Sequence, residues 1–195
     1  MQGHQKPTTS TGRPLVLVTG ASTGIGLELA RVFADNGFDL IITAEDDKLA
    51  AAEASLAGNG AEVRTVRADL STYDGVERLW SAVTVGGRPL DAAALNAGIG
   101  VNGDFTRDIP LEDDLQLIAV NVNAVVHLAK RVLPGMVERG VGWVLITSSV
   151  AATMPGPYYA TYAASNSSAP AWRTPRSLRP VRTTLPRWPG TALRP

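Results

Sequence analysis

Five short apolar runs alternate with amphipathic stretches between residues 15 and 147, and this alternation predicts the architecture. Leu15-Val16-Leu17-Val18 is an unbroken β-forming run, the pattern of a strand covered on both faces. Four further strands are predicted at Phe38–Thr43, Glu62–Arg67, Leu90–Leu95 and Val141–Thr147. Between them, Ile25, Leu29, Val32 and Phe33 recur at helical spacing before an Asn36-Gly37 stop. An alanine-rich helix is predicted over 47–57, ended by Gly58-Asn59-Gly60, and Val76, Leu79, Trp80 and Val83 mark a third helix. A long helix over 111–138 is expected to bury Leu115, Ile118, Val122, Val125, Val126, Ala129 and Val132 as its apolar stripe. Strict alternation of strand and helix predicts an α/β fold, a doubly wound parallel sheet in a three-layer α/β/α arrangement. Ligands of such sheets bind beyond the carboxyl ends of the strands, where Gly20, Glu45, Asp69, Asn96 and Ser149 all fall.

Composition narrows the function classes. A chain of 195 residues with 45% hydrophobic content suits one α/β domain with a real core. Cysteine is absent, which excludes disulfides and thiolate metal sites, and His4 and His127 cannot form a metal centre alone. Residues 1–13 are polar and are expected to be a flexible segment; they contain neither a signal-peptide run nor a membrane anchor, so a cytoplasmic protein with no membrane partner is expected. Net charge is zero, but residues 1–166 carry all 18 acidic residues and 12 basic ones, whereas 167–195 carry six Arg and no acid.

The turn after the first strand is the strongest chemical signal. Glycines at 20, 24 and 26 open the following helix. Gly20 allows a tight turn, Gly24 lets the backbone approach a phosphate, and Gly26 lets the helix lie against the strand, so the first-turn N–H groups and the positive helix end meet a pyrophosphate. Read alone, a glycine-rich turn is also compatible with a ligand-free strand-to-helix connection. Glu45 stands 19 residues after Gly26, where a carboxylate can accept hydrogen bonds from ribose hydroxyls and repel a 2′-phosphate. Glu45, Asp46 and Asp47 also suit the acidic start of a helix. Taken alone, Asp69-Leu70 reads first as a helix cap, through Asp69 or Ser71, and Asn96-Ala97-Gly98 also suits a turn.

The octet Thr19 to Gly26, Thr-Gly-Ala-Ser-Thr-Gly-Ile-Gly, resembles the cofactor loop of the short-chain dehydrogenase/reductase family, and the resemblance extends from Gly12 to Asn166. It implies a Rossmann-like domain over 14–166 that binds NAD, with NADP possible. Gly20, Ser22, Thr23, Gly24, Ile25 and Gly26 would form the loop. Glu45, the adenine-contacting pair Asp69 and Leu70, the Asn96-Ala97-Gly98 element and Tyr162 would complete the cofactor site. The resemblance further implies a small carbonyl or alcohol substrate, no nucleic acid, and the homo-oligomer typical of the family.

The catalytic pattern resembles the family's Asn, Ser, Tyr, Lys tetrad at Asn121, Ser149 and Tyr162, with Asn121 placed 25 residues after Asn96 and Tyr162 placed 13 after Ser149. By that resemblance the Tyr hydroxyl is the general acid/base, the Ser hydroxyl orients the substrate oxygen, and the Asn supports a proton-relay water. A free phenol ionises near pH 10, so the work normally requires a neighbouring cation. The family pattern is Tyr-x-x-x-Lys, and position 166 is Asn. Catalysis is therefore expected to be impaired, and a catalytically silent nucleotide-binding or partner-binding protein is the alternative.

From Ser167 onward the composition changes. Six Pro, six Arg and two Trp in 167–195 predict an irregular tail in place of the family's C-terminal elements, because repeated Pro interrupts any helix. The tail reads as an Arg/Pro-rich binding segment, as a variant end of the domain, or as the product of a lost reading frame. Acid content falls to zero at the residue where the catalytic motif breaks, and this coincidence favours the third.

Overall fold

The five apolar runs become five parallel strands in the computed structural model, which describes residues 12–154 and 156–167. These are β1 Leu15–Thr19, β2 Asp39–Ala44, β3 Val63–Arg67, β4 Ala92–Leu95 and β5 Trp143–Ile146, in the order β3-β2-β1-β4-β5. Every residue of β1, β2 and β4 is buried, as expected for strands covered on both faces. The flexible first segment and the irregular Arg/Pro-rich tail expected from the sequence lie outside the described residues, apart from Gly12, Arg13 and Ser167.

Alternate residues of each strand feed two cores. On one face Val16, Val18, Leu40 and Ile42 pack with Ala30 and Ala34 of helix α1 (Gly24–Asp35) and with Leu49, Ala52 and Leu56 of α2 (Leu49–Leu56). On the other, Leu17, Ile41, Ala93 and Leu95 meet Val76, Leu79 and Val83 of α3 (Tyr73–Thr84). That face is completed by a 29-residue helical run, Leu111–Arg139. The run comprises α4 (Leu111–Ile118), a π-helical turn (Ala119–Asn123) and α5 (Ala124–Arg139). Its length and hydropathy would suffice to cross a bilayer, yet Leu117, Leu128, Ala129 and Val132 are buried within the protein.

The long helix corrects one expectation. Leu115, Ile118 and Val126 are exposed, while Leu117, Val125, Leu128, Ala129 and Val132 are buried. A stripe drawn at constant 3.6-residue spacing fails because the π-helical turn adds a residue and rotates one half of the run relative to the other.

Beyond β5, a short 3₁₀ turn (Val150–Ala152) leads to α6 (Ala160–Ser167). Among the described residues β5 is one edge of the sheet, opposite β3, and its Trp143 and Leu145 are exposed.

At the amino-terminal edge of the sheet an ionic clamp replaces apolar packing. Asp39 is 1% exposed and accepts hydrogen bonds from Arg88 Nη2 at 2.8 Å and from Glu62 N at 3.0 Å. Arg13 Nε lies 3.4 Å from the same carboxylate, and Arg88 also donates to the Arg13 carbonyl. A buried carboxylate that loses its partner keeps its desolvation cost. Arg88→Ala is accordingly expected to lower the unfolding free energy by about 3 kcal/mol, near the lower end of the range for breaking a buried pair. Urea denaturation of the two proteins measures the difference, and a change within experimental error would show that the remaining partners of Asp39, Arg13 and Glu62 N among them, suffice to hold it.

Candidate active site

The turn from β1 into α1 is shaped by three steric conditions. Gly20 has φ +65°, and a Cβ there would stand 2.8 Å from the Ala97 Cα. A Cβ on Gly26 would lie 2.0 Å from the Gly20 carbonyl oxygen, so only glycine lets the helix start this close to the strand. Gly24 differs: its φ is +57°, but a Cβ would meet nothing within 4 Å. Its missing side chain therefore leaves open space at the helix entrance. Thr23, the N-cap residue of α1, makes no side-chain capping bond, which leaves the first-turn N–H groups for an anion.

The loop is tied to the end of β2 through an acid. Ser22 is buried and its Oγ donates to Asp46 Oδ2 at 2.8 Å, while Asp46 Oδ1 accepts from Lys48 N at 3.0 Å. Glu45, the acid expected to meet the ribose, is exposed beside it. Arg67, the last residue of β3, donates through Nε to the Glu45 carbonyl at 2.7 Å and pairs with Asp47.

At the boundary between β1 and β4, Thr19 fastens the two strand ends. Its Oγ1 accepts from Asn96 N and Ala97 N, both at 2.9 Å, and lies 3.4 Å from the Ala94 carbonyl as donor. Asn96 then donates through Nδ2 to the Thr19 carbonyl and accepts from Thr147 Oγ1 at 2.9 Å, linking β1, β4 and the end of β5. Asn121 projects from the π-helical turn. Its Oδ1 accepts from Ile99 N and its Nδ2 donates to the Ile99 carbonyl, both at 2.9 Å, and also to Ser165 Oγ at 3.2 Å. A widened helical turn that aims a side chain is a common device at functional sites.

These elements enclose a cavity of about 430 Å³ at the carboxyl ends of β1 and β4, where the strand order reverses. It brings together Gly20, Thr23, Ile25 and Gly26 from the loop, Asn96, Ala97 and Gly98 from the β4 rim, and Asn121 and Tyr162. Asn166 lines it too, but its Nδ2 donates back to the Tyr162 carbonyl at 2.9 Å along α6. Other expected residues do not line the cavity. Ser22, Gly24, Glu45 and Asp69 stand on the outer part of the same rim. Asp69 Oδ1 accepts from Ser71 N and Ser71 Oγ, and Leu70 is buried in the core. Ser149 caps the 3₁₀ turn, its Oγ accepting from Ala151 N at 3.2 Å, and its neighbour Ser148 reaches the cavity instead.

Sequence reading passed over Thr19, Asp46, Ile99 and Ser165. Thr19 left a trace as the polar end of an apolar run, whereas the others depend on partners 22 to 44 residues away. Among the described residues, the groups present fit a dinucleotide: a glycine cradle that side chains would fill, an uncapped helix start, and the exposed carboxylate of Glu45 just beyond β2.

Comparisons with known proteins agree with this geometry. A family model described as short chain dehydrogenase matches residues 14–171. The chain is 31% identical over 142 residues to the NADP-dependent 3-hydroxy acid dehydrogenase YdfG of Salmonella typhi, an alignment covering 72% of this chain and 56% of that protein. It is 38% identical over 152 residues to 1-deoxy-11-beta-hydroxypentalenate dehydrogenase of Streptomyces exfoliatus, covering 76% and 55% respectively. The fold superposes on the crystal structure of NAD+-bound xylitol dehydrogenase with a TM-score of 0.76 at 28% identity, covering 81% of this chain and 61% of that one. The chain thus spans a little over half the length of the curated relatives it matches.

The two glycine environments predict different responses to one methyl group. Gly24→Ala meets only the backbone penalty of a positive φ, about 1–2 kcal/mol. Gly26→Ala carries no positive-φ penalty but must displace the Gly20 carbonyl, and it is expected to lower the melting temperature further. Differential scanning calorimetry compares them, and equal losses would contradict the close approach at Gly26.

Proposed function

The chain belongs to the short-chain dehydrogenase family, and we propose that it is an oxidoreductase of small molecules that uses a nicotinamide dinucleotide, NAD in preference to NADP. The observation that carries this reading is that one cavity is lined both by the glycine turn and by Tyr162. A dinucleotide bound there supplies or accepts the hydride at the substrate carbon. The uncapped start of α1 and the backbone at Gly20 to Gly26 would hold its pyrophosphate, and Glu45 would accept from the ribose hydroxyls. Asn96, Ala97 and Gly98 support the loop from the β4 rim.

The Tyr162 hydroxyl gives a proton to the carbonyl oxygen in reduction and takes it from the alcohol in oxidation. The family resemblance gives the orienting of that oxygen to Ser149, whose Oγ accepts from Ala151 N just outside the cavity, while Ser148, which lines it, has its hydroxyl committed to the Asn166 carbonyl. Asn121 pins the Ile99 segment beside the reacting atoms.

The preference for NAD rests on charge: Glu45 and Asp46 stand just beyond β2, where carboxylates would repel a 2′-phosphate, and the nearby Arg67 is engaged by Asp47 and the Glu45 carbonyl. The relatives themselves divide, the Salmonella enzyme being named NADP-dependent and the xylitol dehydrogenase structure holding NAD+. A soluble, cytoplasmic setting accords with a long helix that buries Leu117, Leu128, Ala129 and Val132 within the protein.

Asn166 limits the rate. The described residues lining the cavity include no cation, so a phenolate forming at Tyr162 lacks the charge that stabilises it. This observation also favours a second reading, a nucleotide-binding protein with little or no turnover.

Calorimetric titration is expected to give tighter binding of NADH than of NADPH, and the reverse order would refute the role of Glu45. Asn166→Lys is expected to raise turnover on a panel of carbonyls and alcohols by about 10²–10⁴-fold, the usual worth of general acid/base catalysis. Fast turnover by the unaltered chain that survives Tyr162→Phe would overturn the assignment of Tyr162.

A further inference from the structure

We propose that Arg67 is a specificity-determining residue for the dinucleotide: Asp47 holds its guanidinium away from a ribose 2′ position beside Glu45, and competition for that guanidinium sets how strongly NADPH is rejected. The inference rests on the dinucleotide reading above and concerns how the same rim selects between the two cofactors.

Strand register brings the cation to the rim. Arg67 closes β3 in register with Ala44, the last residue of β2, and Ala68 N donates to the Ala44 carbonyl at 3.2 Å. Its side chain therefore starts beside Glu45, at the carboxyl ends of the strands where ligands of parallel sheets bind. Nε donates to the Glu45 carbonyl at 2.7 Å, which anchors the planar group next to that residue. The ion pair it makes is with Asp47 and not with the Glu45 carboxylate, so Glu45 is left to a ribose.

The hold is reversible on energetic grounds. The Arg67 side chain is 64% exposed and that of Asp47 88%, so the pair is solvated and screened by salt, the kind of ion pair with the least net worth. A 2′-phosphate offers the same guanidinium more charge and a bidentate geometry, which makes the stronger contact. The anchor at Nε can stay in place while the outer nitrogens exchange one anion for the other.

The neighbouring charges are already divided among other tasks. Asp46 accepts from Ser22 Oγ and Lys48 N, which leaves Asp47 as the acid that restrains Arg67. Lys48 is a second cation at this rim, exposed at the N-cap of α2, and among the described residues no hydrogen bond fixes its ammonium. Two acids thus act against NADPH in different ways. Glu45 repels the phosphate, and Asp47, a positioning residue, withholds the cation that would offset the repulsion.

Calorimetric titration of NADH and NADPH into the unaltered chain, Asp47→Asn, Arg67→Gln and the double variant tests the assignment without requiring turnover. Failure of the unaltered chain to bind NADH refutes the dinucleotide reading itself, and the selectivity proposal falls with it. In a chain that binds NADH, Asp47→Asn is expected to tighten NADPH binding by about ten-fold, the worth of one hydrogen bond to a charged group, while NADH affinity stays within about two-fold. The double variant is expected to lose that gain. A gain that persists there would belong to the lost negative charge or to Lys48, and it overturns the role of Arg67. Arg67→Gln is expected to weaken NADPH binding less in the unaltered chain than in the Asp47→Asn background, and equal effects would show that Asp47 does not restrain Arg67. No gain in Asp47→Asn, or an equal loss of affinity for both cofactors in either single variant, also overturns the proposal, the latter by making the pair merely structural.

Discussion

The hydroxyl of Thr19 joins the two halves of this sheet. It is 1% exposed and receives two backbone N–H groups from the strand end opposite, at the boundary where the chain has filled one side of the sheet and begins the other. Parallel strands diverge beyond their last ladder bond, and a buried N–H left without an acceptor there would cost about 1–3 kcal/mol. One side chain removes that cost for two amides and holds Ala97 against Gly20. The crevice between the diverging strands then has fixed walls, and every element of the site is measured from them.

That constraint explains why the same turn needs glycine for two unrelated reasons. Gly20 and Gly26 are required by neighbouring backbone, since the Thr19 connection and the start of α1 leave no room for a methyl group. Gly24 meets no protein atom, and its space belongs to whatever approaches the helix start. Packing and binding thus divide the motif between them. The tie from Ser22 to Asp46 adds a third function, coupling the loop to the end of β2 where the acidic rim is set.

On the opposite wall, order comes from amides and hydroxyls. Asn121 fills the widened turn of the long helix and grips Ile99, and the hydroxyls of Ser148 and Ser165 close on carbonyls of α6. Asn166 follows the same pattern, turning its amide onto the Tyr162 carbonyl. The network orients Tyr162 without contributing charge. An amide can hold a helix in place, but it cannot offset a developing phenolate as an ammonium group does.

Much of this was legible from local chemistry. Unbroken apolar runs identified strands covered on both faces, glycine spacing identified the strand-to-helix turn, and the identity of residue 166 disclosed the missing cation without reference to any coordinate. Each of these depends on sterics or charge within a few residues. The strand order, the burial of Leu117 in place of Leu115 and Ile118, the partnership of Asp46 with Ser22, and the presence of Ser148 at the cavity where Ser149 was expected were decided only in three dimensions. Periodicity records how an element turns about its own axis, and a π-helical turn or a short cap changes that phase by a residue. Contacts between residues 24 or 44 positions apart depend on how whole elements settle against one another, a choice made by the packing of the two cores and by no single stretch of the chain.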